Sequence, residues 1–333
     1  MKSVKKFFEK FKRMDLFSWI LYLVVIAWVA SMIFMLYIAF ANSLKHYYDF
    51  CGFEESKGTV KYVANVFGLP RPAGNGMFSR HLGWQWKNYV NIFTPVVKDF
   101  NTDPTLDNWN FFSEEIPGVG YIDIYGYYLN SVIYAVAMTV FSLATEIMVA
   151  YCCAKYDFKL GKVYYAVAIV VMIVPIVGSL ASELSFANAL FGLEDNVIGI
   201  CILKCKYPGL YFLVFYATFK SVSSTYMEAA ELDGAGHFQI FWQIMFPLIR
   251  ASTFAVFILL FITNWNDYYT PMVFLRDMPV ISLRLYELQF RLISANSMKM
   301  FAACICSALP IIVLFVAFRN KIMGNVTMGG IKG

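Results

Sequence analysis

Apolar residues gather in six runs: Leu16–Ala41, Tyr127–Cys153, Val163–Ser182, Val197–Phe219, Ala251–Leu275 and Met300–Phe318. Each holds about twenty residues or more, the length an α-helix needs to cross ~30 Å of hydrocarbon. The pattern predicts an all-α membrane protein with six transmembrane helices. Residues 1–41 supply a basic N-terminus and the first helix, 42–126 an extracytoplasmic segment, 127–319 a five-helix core and 320–333 a tail. The opening MKSVKKFFEKFKR and the small-x-small Ala39-Phe40-Ala41 have the outline of a cleavable signal. The apolar core between them far exceeds the ~7–15 residues of such signals, so a retained helix is expected.

Between the fourth and fifth runs lies a polar stretch rich in small residues, EAAELDGAGHFQIFWQIMFPL, from Glu228 to Leu248. Thr225 and Glu228 have the spacing of a capping box, so a short helix is expected to begin there. Asp233, Gly234 and Gly236 are residue types that end a helix and turn the chain. A second helical pattern follows, with Phe238, Phe241, Met245 and Leu248 near one face. The expectation is two short helices joined by a glycine turn. They form a knob outside the bilayer, its first helix kept narrow by Ala229 and Ala230.

This stretch resembles the EAA loop of the membrane subunits of ABC importers, where Glu-Ala-Ala, Asp-Gly-Ala and a closing Pro-Leu recur at the same spacing. Glu228, Ala229, Ala230, Asp233, Gly234, Ala235, Gly236 and Pro247 occupy those places. The resemblance implies a type I ABC importer permease fold, with the knob as cytoplasmic coupling helices docked on an ATPase subunit. Other motifs resemble the carbohydrate branch, the type of the maltose transporter's smaller permease. These are WQWKNYVNIF (Trp84–Phe93), Asn130-Ser131, AYCCAKYDFKLGK after the second run, NWNDYYTP (Asn264–Pro271) and the closing GNVTMGGIKG. Together they cover roughly residues 84–333, with the first run matching by position alone. Arg250-Ala251 departs from the pattern, since many relatives carry a second proline after Pro247. The resemblance further implies that Gly329, Gly330, Lys332 and Gly333 of the tail reach into an ATPase dimer interface. A second homologous permease would complete the path, and an extracytoplasmic solute-binding protein would deliver a sugar.

Composition agrees with a bilayer environment: 59% of residues are hydrophobic and only 15% charged, against about 25% charged in soluble domains. Residues 1–17, 154–162, 220–250 and 319–333 carry fourteen Lys and Arg, whereas the much longer 42–126, 183–196 and 276–299 carry eleven. Basic loops stay inside, which predicts a multi-pass protein of a bacterial cell membrane with both termini and the knob cytoplasmic. The net charge of +5 is thus placed by topology, and it points to no nucleic acid. Six of the seven cysteines fall in or at the ends of apolar runs, and His46, His81 and His237 are scattered. No disulfide framework, metal set or catalytic constellation can be read from them, and the chain is expected not to be an enzyme. Lys162 and Lys332 follow glycines without the rest of a phosphate-binding loop. No cofactor is therefore expected on this chain; ATP and magnesium belong to the partner ATPase, and membrane lipid surrounds the helices.

For substrate contact, ~1.5 Å per residue from Ala251 puts Asn264 about 20 Å and Asp267 about 24 Å from the cytoplasmic side. With Trp265, Asn266 and Tyr268 they form a candidate substrate path, because amides and a carboxylate beside aromatic rings suit sugar hydroxyls and sugar faces. The same residues would equally serve to tie helices together or to form an interfacial aromatic belt. Lys204 and Lys206 lie inside the fourth run, where each lysine costs about 2.5–3.5 kcal/mol at mid-membrane. Either one pairs with Asp267 or Glu183 while the other snorkels, or they line the path and attract a substrate acid group. Pro175, Pro208, Pro271 and Pro310 are expected to bend their helices. Three alternatives stay open: an ABC permease for another solute, such as a polyamine or an anion, an ion-coupled secondary carrier, and a structural membrane protein. A secondary carrier would often show internal repeats.

Overall fold

The computed structural model describes residues 15–55, 60–75, 82–93, 114–116, 120–173, 182–183, 185, 196–204, 209–291 and 297–326. The chain divides into two compact units, Met1–Trp109 with Arg291–Cys306, and Asn110–Phe290 with Ser307–Gly333.

In the first unit, α1 (Leu16–Ser43) is one unbroken helix. Its large apolar side chains are exposed on every side from Leu16 to Phe40, the pattern of a helix whose solvent is itself apolar. At its end Ser43 Oγ turns back to the Phe40 carbonyl at 2.7 Å and shares a hydrogen bond with the Tyr89 hydroxyl at 2.6 Å. Beyond it come α2 (Tyr47–Cys51), an antiparallel hairpin of β1 (Phe53–Glu55) and β2 (Val60–Tyr62) with Glu54 opposite Lys61, and α3 (Lys87–Phe93). The strands are a departure from the purely helical expectation, and a second antiparallel hairpin, β3 (Glu114–Ile116) with β4 (Gly120–Ile122), opens the second unit.

The second unit is built on α4 (Ile124–Lys155). Its start is capped by Asp123, whose carboxylate accepts the Gly126 N–H at 3.0 Å. Against α4 pack α5 (Lys159–Ile173), α6 (Val197–Lys204), α7 (Leu210–Ser221) and the later helix α9 (His237–Trp265). One core joins Ile147, Ala150 and Tyr151 of α4 to Phe212, Phe215 and Phe219 of α7 and to Met245, Ile249, Val256 and Leu260 of α9. The three phenylalanines fall on one helical face at near-heptad spacing. In lipid, such interdigitation holds helices by packing contacts rather than by transfer from water. Farther along α4, Tyr134 and Met138 share a second core with Ile200, Cys201 and Leu203 of α6. The same core takes in Phe274 of α10 (Tyr269–Phe274) and Leu283 of α11 (Ile281–Arg291). Asn130 Nδ2 donates to the Pro279 carbonyl at 3.0 Å, and Ser131 Oγ accepts the Ile281 N–H at 2.8 Å. The Asn-Ser pair therefore clamps the start of α11. The last helix, α12 (Ser297–Val326), runs through Pro310.

Among the described residues, four helices are long and apolar enough to cross a membrane: Leu16–Ser43, Ile124–Lys155, His237–Trp265 and, within α12, Met300–Phe318. Of the other two expected runs, α5 stops at Ile173 within the described residues, and Pro175 lies outside them. The fourth run appears as α6 and α7, with residues 205–208, including Lys206 and Pro208, outside the described set. The fifth run differs from expectation at both ends. Its helix begins at His237 rather than Ala251, because no residue but Pro247 opposes continuation from the knob. A π-turn at Phe241–Met245 absorbs that proline: the Phe246 N–H bonds five residues back to the Phe241 carbonyl, shifting the register just before the residue that has no N–H to offer. The helix ends at Trp265 rather than Leu275, because Asp267 Oδ1 accepts the N–H groups of Tyr269 and Thr270 at 3.0 and 3.1 Å and starts α10 afresh.

Candidate functional site

The knob begins with α8 (Thr225–Leu232), where the sequence placed it, but not by the expected capping box. Thr225 is the first helical residue rather than the cap. Ser224 caps without a side-chain bond, and Ser223 Oγ takes the Thr225 N–H at 3.3 Å and shares a bond with Thr225 Oγ1 at 2.8 Å. The far end closes as a Schellman motif. Gly234 stands at φ +81, its N–H bonds the Glu231 carbonyl at 3.0 Å, and the Ala235 N–H bonds the Ala230 carbonyl at 3.0 Å. Only a residue free to adopt the left-handed region fits there without strain. Asp233 is the C-cap, and Gly236 stands immediately before α9.

Two faces result. Met227 and Ala230 point inward and join Ile240 and Phe241 in the core with α4 and α7. Outward lie Glu228, Ala229, Glu231, Asp233, Gly234, Gly236 and Pro247, together with Tyr226, Leu232, Phe238 and Trp242; Ala235 is half-buried. Leu232 and Phe238 are 89% and 80% exposed, an apolar display that a monomeric surface avoids. Tyr226, Ala229, Ala230, Asp233 and Ile244 line a groove of about 580 Å³ beside α8. From Ser221 to Ile249 there is no Lys or Arg, against three carboxylates, so the face is acidic as well as apolar. The knob is braced on the end of α4: Lys155 Nζ donates to the Val222 carbonyl, and Tyr156 hydroxyl meets His237 Nδ1 at 3.2 Å.

The candidate substrate residues are engaged with neighbouring helices. Asn264 Nδ2 donates to Thr139 Oγ1 at 3.0 Å, and Trp265 Nε1 to the Ser307 carbonyl at 3.1 Å. Asp267 Oδ2 accepts the Tyr134 hydroxyl at 2.7 Å. Asn266 turns back to the Ile262 carbonyl at 2.8 Å, and Tyr268 stacks on Tyr286 with centroids 4.2 Å apart. Asn266 and Tyr268 remain exposed. Lys204 pairs with Glu183 at 3.2 Å and lies 5.6 Å from the Phe274 ring centroid. Lys206 and the tail residues Gly329, Gly330, Lys332 and Gly333 lie outside the described residues.

One polar residue that hydropathy alone passes over is Glu146, a lone acid inside the second run. Its Oε2 is buried with no hydrogen-bond partner among the described residues, and its Oε1 lies 2.8 Å from where a Cβ on Gly209 would stand, at the start of α7. The signal was present in the sequence as a single charge in an apolar helix.

The described residues thus form apolar helices of membrane-spanning length with an exposed helix–glycine–helix knob. The chain belongs to the family of binding-protein-dependent transport system inner membrane components, whose profile matches residues 146–322. It is accordingly a non-catalytic membrane component. It is 30% identical to the melibiose/raffinose/stachyose import permease MelC of Bacillus subtilis strain 168, over 61% of this chain and 76% of that one. The maltodextrin transport system permease MalD of Streptococcus pneumoniae is 27% identical over 71% of this chain and 82% of its own. In fold, the chain resembles one in a bacterial ABC transporter involved in import of the acidic polysaccharide alginate. The TM-score there is 0.63 at 18% identity, over 91% of this chain and 95% of that one.

Proposed function

We propose that this chain forms half of the translocation path for a sugar or oligosaccharide, with six membrane spans, both termini cytoplasmic, and α8 as the element that couples it to a separate ATPase. A second homologous permease would face it across the path, an extracytoplasmic binding protein would deliver substrate, and the tail would enter the ATPase dimer interface. Family membership and the import permeases it resembles support the transport reading. The observation that carries the coupling role is the two-sided knob, whose inner face is continuous with the α4, α7 and α9 core. A push on its outer face reaches three helices through packed side chains, the kind of rigid connection by which distinct states are transmitted.

Substrate contact at Asn266 and Tyr268, just beyond the end of α9, is the reading favoured, since these two keep exposed surface and Asn266 bonds only within its own turn, while Asn264, Trp265 and Asp267 are bonded to other helices. Pairing of Lys204 with Glu183 favours a structural role for that lysine over recognition of an acid group. Reconstitution in liposomes with its cognate permease, ATPase and binding protein, supplied with neutral oligosaccharides, uronate oligomers and polyamines in turn, is the test. ATP-dependent uptake of a neutral oligosaccharide is expected; uptake of uronate oligomers alone would make the substrate an acidic sugar, and uptake of polyamine alone would replace the sugar assignment.

A further inference from the structure

A water-facing loop turns its charges outward and its apolar side chains inward. In the first unit, the stretch from Val63 to Asn75 does the reverse. Val63, Phe67 and Leu69 are 71%, 64% and 52% exposed. Its one charged residue, Arg71, is turned in: the guanidinium donates to the Val63 carbonyl at 2.7 Å and lies 3.6 Å from the Asp49 carboxylate. Asp49 also accepts the Arg71 N–H at 3.0 Å and the Asn65 amide at 3.2 Å. From the other side buried Lys45 donates to Asn42 Oδ1 at 2.7 Å and to the carbonyls of Asn65 and Val66. The Arg71, Asn65 and Val66 groups just named are thus bonded from within, while Val63, Phe67 and Leu69 face outward. That arrangement is suited to a non-aqueous neighbour.

The position of Phe67 says which neighbour. Its ring stacks on Phe34 of α1, centroids 6.3 Å apart and planes inclined by 13°. Phe34 precedes the end of α1 by nine residues, about 13 Å along the axis. A helix of this length spans ~42 Å, so centring it on ~30 Å of hydrocarbon leaves ~6 Å outside at each end and puts Phe34 well within the apolar layer. A side chain stacked on it is carried there too. Trp84 and Trp86, 50% and 58% exposed, stack 6.4 Å apart. The Gln85 N–H between them donates to the Leu44 carbonyl at 2.8 Å. This fixes both indoles at the level of the helix end, where tryptophan prefers to sit.

We propose that the loop from Val63 to Leu69 inserts into the bilayer leaflet at the C-terminal end of α1, with Trp84 and Trp86 as its interfacial rim. The part of the first unit that follows α1 then rests on lipid beside the helix that crosses it. The inference requires that α1 crosses the bilayer, and it is independent of substrate and of which side the termini occupy.

A benzophenone amino acid in place of Phe67, in the full chain expressed with its transport partners in cell membranes, tests it after photolysis and mass spectrometry. The same reporter at Leu36, on the lipid-exposed face of α1, and at Asn75 brackets the result. Lipid adducts at position 67 should come within about threefold of those at 36 and exceed those at 75 by about tenfold or more. Cross-links from 67 to another protein in place of lipid would make the loop a subunit interface and overturn the proposal. A yield at 67 no higher than at 75 overturns it as well. The reporter at Leu69 gives an independent reading if substitution of Phe67 lowers expression.

Discussion

The Tyr134 hydroxyl donates to Asp267 Oδ2 at 2.7 Å, joining α4 to the break between α9 and α10. The other carboxylate oxygen caps α10 through Tyr269 and Thr270, so one side chain fixes both a helix–helix contact and a helix start. Removing one partner of a bond to a charged group costs about 1.5–3 kcal/mol. Tyr134→Phe should therefore lower the unfolding midpoint in detergent. Asp267→Ala, which also removes the cap, should lower it further. Full stability of Asp267→Ala combined with loss of uptake would move Asp267 from a structural tie to the substrate path.

Gly234 separates backbone strain from docking. A Cβ added there meets nothing within 4 Å among the described residues, but φ is +81. Gly234→Ala should thus cost about 1–2 kcal/mol from the left-handed backbone alone, and Gly234→Asn less. Gly234→Trp carries the same backbone strain plus a large side chain, and a loss of uptake well beyond that of Gly234→Ala is the outcome expected of a docked turn. With the cognate ATPase, the Trp variant is expected to hydrolyse ATP without driving uptake. Normal uptake by a well-expressed Trp variant would count against docking through this turn.

Lys204 and Glu183 should behave as a pair. Breaking a partly buried ion pair from one side leaves the other charge uncompensated, whereas replacing both is far milder. Lys204→Met and Glu183→Gln singly should reduce the amount of folded protein, and the double variant should recover most of it. Selectivity between neutral and acidic sugars should stay unchanged in all three. A shift in selectivity with Lys204→Met alone would restore an anion-binding role.

Lys45 offers a pH test. Burial depresses its pKa, with Arg71 adding to the effect and Asp49 opposing it. Between that lowered value and the ordinary 10.5, the folded state binds fewer protons than the unfolded chain, so its stability contribution rises with pH across that window. The unfolding midpoint of the wild type relative to Lys45→Met should accordingly climb as the solution is taken from neutral toward pH 10.5. A difference that falls or stays flat would show that the ammonium is not desolvated.

Deleting Asn325–Gly333 should leave the apolar helices inserted, because the removed residues follow Met300–Phe318. Stimulated ATPase turnover in the assembled transporter should fall. Unchanged turnover would mark the tail as a solvated end, the usual state of a terminus.

Much was legible in the sequence because membrane helices are written locally. An apolar run of twenty residues or more, such as Leu16–Ala41, must span or be buried whatever surrounds it. A glycine after a short helix announces its own turn, so Gly234 and the C-terminal end of α8 were readable from residue type alone. Hydropathy placed α1, α4, the main part of α9 and α12, and the small-residue knob stood out between them. Other features depended on partners far along the chain. Nothing near Asp267 says that Tyr134 will reach it, so the break at Asn266 was hidden inside an apolar run. Pro247 signalled an interruption but not that a π-turn would absorb it, joining knob and span into one helix. Thr225 carried the letters of a capping box, yet the local backbone put it one place too late to cap. Arg71 and Lys45 read as loop charges; only the folded first unit turns them inward, because Asp49 and the carbonyls of Asn65 and Val66 wait there. Periodicity and turn chemistry act over a few residues and determine elements. Hydrogen-bond partners and burial are settled by which distant residues arrive beside them, and that belongs to the tertiary structure.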